Sequence, residues 1–238
     1  MDNEKCIVFD VWSDYACFRR GYTTTSILSY PFPSRTTITG FLAGMLGYER
    51  DSYYDLFQKD NSKIGLRIIN PIKKTHLNLN YINTKIGFIL KDIKSNSKRT
   101  QIPAEYLKDV KYRFYIQLDD QDVMNKLFNL IQEHKSIYTP YLGISECIAN
   151  YSMVGNGLYD IELVSGENVD IDSVVLKEDT SIVIEKNKKY GIIKSPGFFN
   201  SNREVTGFLE YYYEENGNPI KVKESEYYKI GEDNVILY

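Results

Sequence analysis

Apolar positions along this chain switch between two periods, and the switches divide it into elements. Ile7, Val8, Phe9 and Val11 cluster and alternate within Lys5 to Trp12, as in a strand with one or both faces buried. Ile38, Phe41, Leu42, Met45 and Leu46 then recur at helical spacing, which predicts a helix from Thr36 to Leu46. Pro33-Ser34 supplies a cap for it and Gly47 a stop. Gly40 and Gly44 mark one line on that helix where a strand backbone or a partner can approach closely. A short helical segment follows over Ser52 to Gln58, then a strand over Ile64 to Asn70 that Pro71 ends. The next strand is Val110 to Leu118, rich in aromatic and β-branched residues. Asp119 and Asp120 cap a second helix with an apolar face of Val123, Met124, Leu127, Phe128, Leu130 and Ile131. A fourth strand lies within Cys147 to Val164, broken at Gly155-Asn156-Gly157.

The order is β-α-β-β-α-β, which predicts an α+β fold of the ferredoxin-like, RRM-like class over residues 1–164. Its second and third strands are separated by an insertion at about residues 71–108, long enough to be functional or mobile. Thr75 to Tyr81 and Lys85 to Ile93 are expected to pair as a hairpin thumb across Ile82-Asn83-Thr84. From Ser165 onward come short strand signals at Val174 to Leu176, Ser181 to Glu185, Tyr190 to Lys194, Glu204 to Tyr213 and Ile220 to Val222. They predict a small antiparallel β domain over residues 165–238, or an extension of the first sheet, with a soft boundary and no low-complexity linker.

Composition narrows the class. With 238 residues and 42% hydrophobic content, the chain can bury a substantial core. No apolar run reaches the roughly 18 residues a membrane helix needs, and the first residues lack the order of a signal peptide, so a cytoplasmic protein without membrane contact is expected. Cys6, Cys17 and Cys147 lack C-x-x-C spacing and the histidines are His76 and His134, so neither a structural zinc site nor another metal or cofactor is expected. No phosphate-binding G-x-x-x-x-G-K-[ST] loop and no carboxylate cluster for a two-metal site is present. A net charge of −3 argues against indiscriminate coating of nucleic acid. Residues 71–100 nevertheless carry +6 while residues 165–238 carry −5, a distribution suited to holding a short, defined polyanion. The same lysines would also serve simply to solvate a long hairpin.

The tract Arg19-Arg20-Gly21-Tyr22-Thr23-Thr24-Thr25-Ser26 combines two guanidinium forks, an aromatic face and several hydroxyls. Guanidinium grips phosphate bidentately, hydroxyls add hydrogen bonds and Tyr22 can stack on an unpaired base, which together suit single-stranded RNA. The other reading is that Arg19 and Arg20 pair with Asp10 or Asp14 and pin the loop. Ser34 and Arg35, at a helix start, offer either a phosphate site or a surface ion pair. Lys73, Lys74, His76, Lys98, Arg99 and Gln101 lie near the two bases of the expected hairpin and would converge into a groove. Metal-independent RNA cleavage would need a base and an acid; His76 with Lys74 and a tyrosine are the residues available. His134 is expected to cap the second helix at its C-terminal end.

The stretch from Phe9 to Gly47, with F-R-R-x-Y-T-T-T-S and then Y-P-F-P-x-R-T ahead of a Gly-punctuated helix, resembles the Cas-five family of the RAMP superfamily, CRISPR-associated subunits of type I interference complexes. The resemblance continues through Tyr138-Thr139-Pro140-Tyr141-Leu142-Gly143 and the Gly155 to Gly157 region, about two thirds of the chain. It implies a type I-B Cascade subunit for antiviral defence that binds the 5′ handle of crRNA through the Arg19 to Ser26 loop and the Ser34-Arg35 helix start. It further implies contact with the Cascade backbone subunit and large subunit, and with target DNA only through the complex. One branch of the family cleaves repeat RNA; the match here is closer to members that only hold it. The alternatives are a metal-independent endoribonuclease that processes CRISPR repeat RNA, and a purely structural cap.

Overall fold

A computed structural model describes residues 4–23, 26–82, 99–178 and 180–238. Strand β1 (Lys5–Ala16) leads through a loop to helix α1 (Arg35–Leu46). Strands β2 (Ser62–Ile68), β3 (Lys73–Ile82) and β4 (Arg99–Leu118), helix α2 (Gln121–Gln132) and the long β5 (Asn150–Ile171) follow. After them come β6 (Val175–Leu176), β7 (Tyr190–Phe199), β8 (Val205–Glu214), β9 (Ile220–Ile230) and β10 (Asp233–Val235). The fold is mixed α+β with largely antiparallel sheets. One sheet runs β10-β9-β5-β1-β4-β2, with β3 on β4, and a second runs β6-β8-β7.

The alternation read in the sequence is what faces the core. Ile7, Phe9 and Val11 of β1 and Phe114 and Ile116 of β4 pack with Ile38, Leu42 and Met45 of α1 and Leu127 of α2 in one large cluster. Phe114 meets Phe9 and Phe41 edge-on, at 5.6 and 6.0 Å between ring centres. The Ser34 hydroxyl accepts the Thr37 N–H, so it caps α1, and Gly47 ends the helix with φ 82°. A side chain at Gly47 would strike Ile137 at 2.8 Å. Asp120 caps α2 through the N–H groups of Asp122 and Val123. The pairing of β1 with β5 shifts between Ile7 and Phe9, beside the expected break, where Gly155 and Gly157 have positive φ.

Several expectations change. Thr75 to Tyr81, expected to face Lys85 to Ile93, pairs with Thr100–Tyr106, Thr75 opposite Tyr106 and Tyr81 opposite Thr100. The reason is that β4 begins far ahead of Val110 and stays extended for 20 residues, giving β3 a continuous partner. Lys85 to Ile93 itself lies outside the described residues. The segment Ser52 to Gln58 forms only a single 3-10 turn, Asp55–Phe57. Ser181 to Glu185 makes an isolated bridge, Ile182 to Val222, rather than a strand. The expected division at residue 165 falls inside β5, whose far half pairs with β9 in the same sheet. His134 caps the end of α2 with its backbone: in a left-handed conformation its N–H donates to Ile131 O (3.0 Å) and that of Lys135 to Leu130 O (2.7 Å), while its ring stacks on Tyr151 at 4.7 Å.

The chain also folds its last residues back onto β2. Ile64 and Tyr238 exchange both backbone hydrogen bonds at 3.0 Å. Gly65 permits this, because a Cβ there would meet Val235 at 2.7 Å and Leu237 at 2.8 Å. On that side of the sheet Arg113 joins Asp10 (2.8 Å) to Asp233 (3.1 Å), and Arg67 bridges Asp233 and Asp172. Among the described residues, no helix is long and apolar enough to cross a membrane.

Candidate nucleic-acid interface

The basic tract after β1 doubles back on itself. Arg20 N–H donates to Leu28 O (2.9 Å), Tyr30 N–H to Phe18 O (2.8 Å), and Phe18 N–H to the Ser29 hydroxyl (3.0 Å). Residues 18–20 and 28–30 thus form a short ladder. Its outer edge then docks on β4: Ile27 N–H donates to Pro103 O (3.0 Å) and Glu105 N–H to Ile27 O (2.7 Å). The result is a continuous extended layer of β3, the first half of β4, residues 27–30 and residues 18–20. The basic loop and the ribbon are parts of one surface.

Within that surface Arg19 is exposed, and Tyr22 is 68% exposed at the tip. Arg20 is half-buried: its Nε donates to Ser29 O (3.1 Å), one Nη to the Tyr22 hydroxyl (3.1 Å), and its guanidinium lies 5.4 Å over the Tyr30 ring. Burial raises the Tyr30 hydroxyl above its ordinary value, so that ring stays neutral beside the arginine. Thr23 donates its hydroxyl to Arg20 O (3.0 Å). Thr24 and Thr25 lie outside the described residues. Pairing with Asp10 is not what pins the loop, since the Asp10 carboxylate takes Arg113 and Lys111 (3.0 Å).

On the ribbon, alternation puts Lys74, His76, Asn78 and Asn80 of β3 on one face, together with Glu105, Gln101 and Arg99 of β4. The other face carries Leu77, Leu79 and Tyr81 with Ala104 and Ile102, and it continues into a cluster with Cys17, Ile27, Tyr106 and Cys147. The expected convergence of the basic residues is corrected here. Lys73 stands opposite Lys108 and Arg99 opposite Ile82, so these positions are nine pairs apart, about 30 Å along the ribbon. Lys73 also falls on the other face and pairs with Asp109 at 3.5 Å. Lys98 lies outside the described residues. Lys74 is held by Glu105 at 3.2 Å. His76 is exposed on the same face, opposite Glu105 in register.

Arg35 is not an anion site. It is 1% exposed, its Nε donating to Tyr238 O (3.1 Å), one Nη to Phe57 O (2.6 Å), and the other to Ser62 O (3.1 Å) and the Ser62 hydroxyl (2.8 Å). The Phe198 ring lies 4.4 Å from the guanidinium. Burial lowers its pKa to about 10, which leaves it charged at neutral pH. Ser34 is likewise buried and engaged in capping. The sequence held the signal: Arg35 is three residues before Ile38 and seven before Leu42, on the buried stripe of α1.

Residues not assigned to the site from the sequence also lie on or beside this surface. Asn78 and Asn80 sit between the basic positions on the ribbon's polar face, visible only once the register is known. Tyr138 and Tyr141 are half-exposed on the loop after α2. That loop is braced on the start of the basic tract: Cys17 N–H donates to Leu142 O (3.2 Å), and Gly143 has φ 92° with its Cβ position 2.0 Å from Cys17 O. Burial raises the Cys17 thiol, and it pushes Cys147 up to about 11 with help from Cys17, so both stay protonated at neutral pH.

This architecture recurs among CRISPR proteins. A CRISPR protein from Archaeoglobus fulgidus superposes with a TM-score of 0.52 at 15% identity, covering 97% of this chain and 98% of that one. A second solved structure, described as a Cas protein, gives 0.50 at 14% identity, covering 93% and 94%. Residues 6–204 match the family described as CRISPR-associated protein (Cas_Cas5), and the chain belongs to that Cas5 family. No curated protein matches the sequence.

Proposed function

We propose that this chain is the subunit that holds the 5′ handle of crRNA at one end of a type I-B Cascade complex, in the cytoplasm. The observation that carries the reading is the fusion of the Arg19–Arg20–Tyr22 loop with the β3–β4 ribbon into one hydrogen-bonded layer. Family membership and the strand order β5-β1-β4-β2, which suits a ferredoxin-like core, support it. Guanidinium groups face phosphates, Tyr22 stacks on a base, and the amides of Asn78, Asn80 and Gln101 meet base edges. The ribbon acts as the thumb, its half-exposed Leu77 and Tyr81 meeting the adjacent backbone subunit, and the large subunit docks beside it. Target DNA is reached only through the guide.

The test is binding of labelled handle RNA and of intact repeat RNA in EDTA, by the purified chain and by the assembled complex. Handle binding that weakens steeply with salt and falls with Arg19→Ala supports the holder reading. Absence of handle binding in both states refutes it. Specific cutting of repeat RNA, abolished by His76→Ala, would replace it with the endoribonuclease.

A further inference from the structure

The carboxylate of Glu105 lies in the middle of a surface proposed to bind a polyanion, where a negative charge works against affinity. It is 7% exposed and fully engaged. Oε1 accepts the Ser29 N–H at 3.1 Å, and Lys74 Nζ straddles both oxygens, at 3.3 Å from Oε1 and 3.2 Å from Oε2. The same residue binds the loop with its backbone, its N–H to Ile27 O (2.7 Å) and its carbonyl receiving the Cys17 thiol (3.6 Å). Ser29 is the relay. Its N–H is taken by Glu105, its carbonyl receives Arg20 Nε, and Arg20 in turn donates to the Tyr22 hydroxyl. A continuous series of hydrogen bonds thus runs from a buried carboxylate on the ribbon to the exposed ring at the loop tip.

We infer that Glu105 is a positioning residue of the RNA site: it sets where Arg20 and Tyr22 stand, and it holds Lys74 neutralised beside them. The inference rests on the RNA-holding reading above, but half of it is measurable without RNA. The two roles separate by substitution. In Glu105→Gln an amide oxygen still accepts the Ser29 N–H while Lys74 is released from its ion pair. In Glu105→Ala both are lost.

The experiment has two arms. Hydrogen exchange of the free protein over residues 17–30 should be about tenfold faster in Glu105→Ala and nearly unchanged in Glu105→Gln, with both variants melting cooperatively. Binding of fluorescein-labelled handle RNA should strengthen severalfold in Glu105→Gln, with a log–log salt slope steeper by about 0.7, one more phosphate contact to a single strand. Glu105→Ala should bind about tenfold more weakly than Glu105→Gln, and that difference should vanish in an Arg20→Ala background. Equal exchange in the two variants would overturn the positioning role. Equal RNA affinity with split exchange would overturn its connection to Arg20. Split exchange with no RNA binding by any form, wild type included, would sustain the clasp and refute the RNA reading instead.

Discussion

Arg35→Met is the perturbation that most sharply separates a structural arginine from a phosphate ligand. The guanidinium donates four hydrogen bonds to three backbone carbonyls and one hydroxyl, drawn from the turn at Phe57, the start of β2 and the segment at Tyr238. Methionine fills most of the volume and donates nothing. Ser62 keeps its own hydroxyl bond to Gln58 O and Tyr238 O keeps the Ile64 N–H, but the buried carbonyls of Phe57 and Ser62 lose the guanidinium. At about 1–3 kcal/mol for each of these two buried acceptors, less what entering water recovers, the loss is about 2–4 kcal/mol. The contact with Phe198 adds up to about 2 kcal/mol when desolvated. With a urea slope near 3 kcal/mol/M, at the upper end for small domains, the unfolding midpoint should fall by about 0.7–2 M. Urea unfolding followed by far-UV circular dichroism measures this, and RNA affinity of the folded variant should stay within about threefold of wild type. A midpoint within 0.3 M (about 1 kcal/mol) of wild type together with loss of RNA binding would refute the reasoning and restore Arg35 as a ligand.

Further outcomes follow from single contacts. Glu214 is buried, which by itself would raise its carboxyl, yet the N–H groups of Lys189, Asn216 and Asn218 hold it below its ordinary value. Its contribution is therefore present above about pH 4.5 and lost as pH falls through the lowered folded value, so the stability gap between wild type and Glu214→Gln should narrow between pH 7 and pH 3 in urea titrations. Gly143→Ala places a methyl 2.0 Å from Cys17 O at φ 92° and should cost more than about 1 kcal/mol, read as a lower melting temperature with faster exchange over residues 137–149. Lys73→Ala, on the ribbon's other face, should leave handle affinity within twofold, whereas Arg19→Ala should reduce it about tenfold in filter binding at low salt. Gly65→Val should expel the segment around Val235 and Leu237 from β2, detected as accelerated exchange at Ile64 and Tyr238.

The chain's local periods already contained β1, α1, β2, α2, the second half of β4 and the break in β5, because each of these buries one face and repeats its apolar residues accordingly. The helix caps at Ser34 and Asp120 were equally legible, since a cap acts within three residues. The basic loop could be read as chemistry, two arginines, an aromatic and hydroxyls together, though not as geometry. What tertiary structure alone decided involves partners distant in sequence. The ribbon's register is set by a 20-residue strand whose first half is too polar to announce itself, so the expected convergence of Lys73 with Arg99 became a separation along its length. Arg35 stands on the buried stripe of α1, which the sequence shows, but its partners were not legible: the return of Tyr238 to β2, 203 residues away, supplies one of the carbonyls it donates to. The same holds for Glu105, an ordinary carboxylate in sequence that becomes the junction between loop and ribbon once Ser29, 76 residues earlier, lies against it. Periodicity records which face of an element is buried, and it carries no information about what that face, or an edge, will meet.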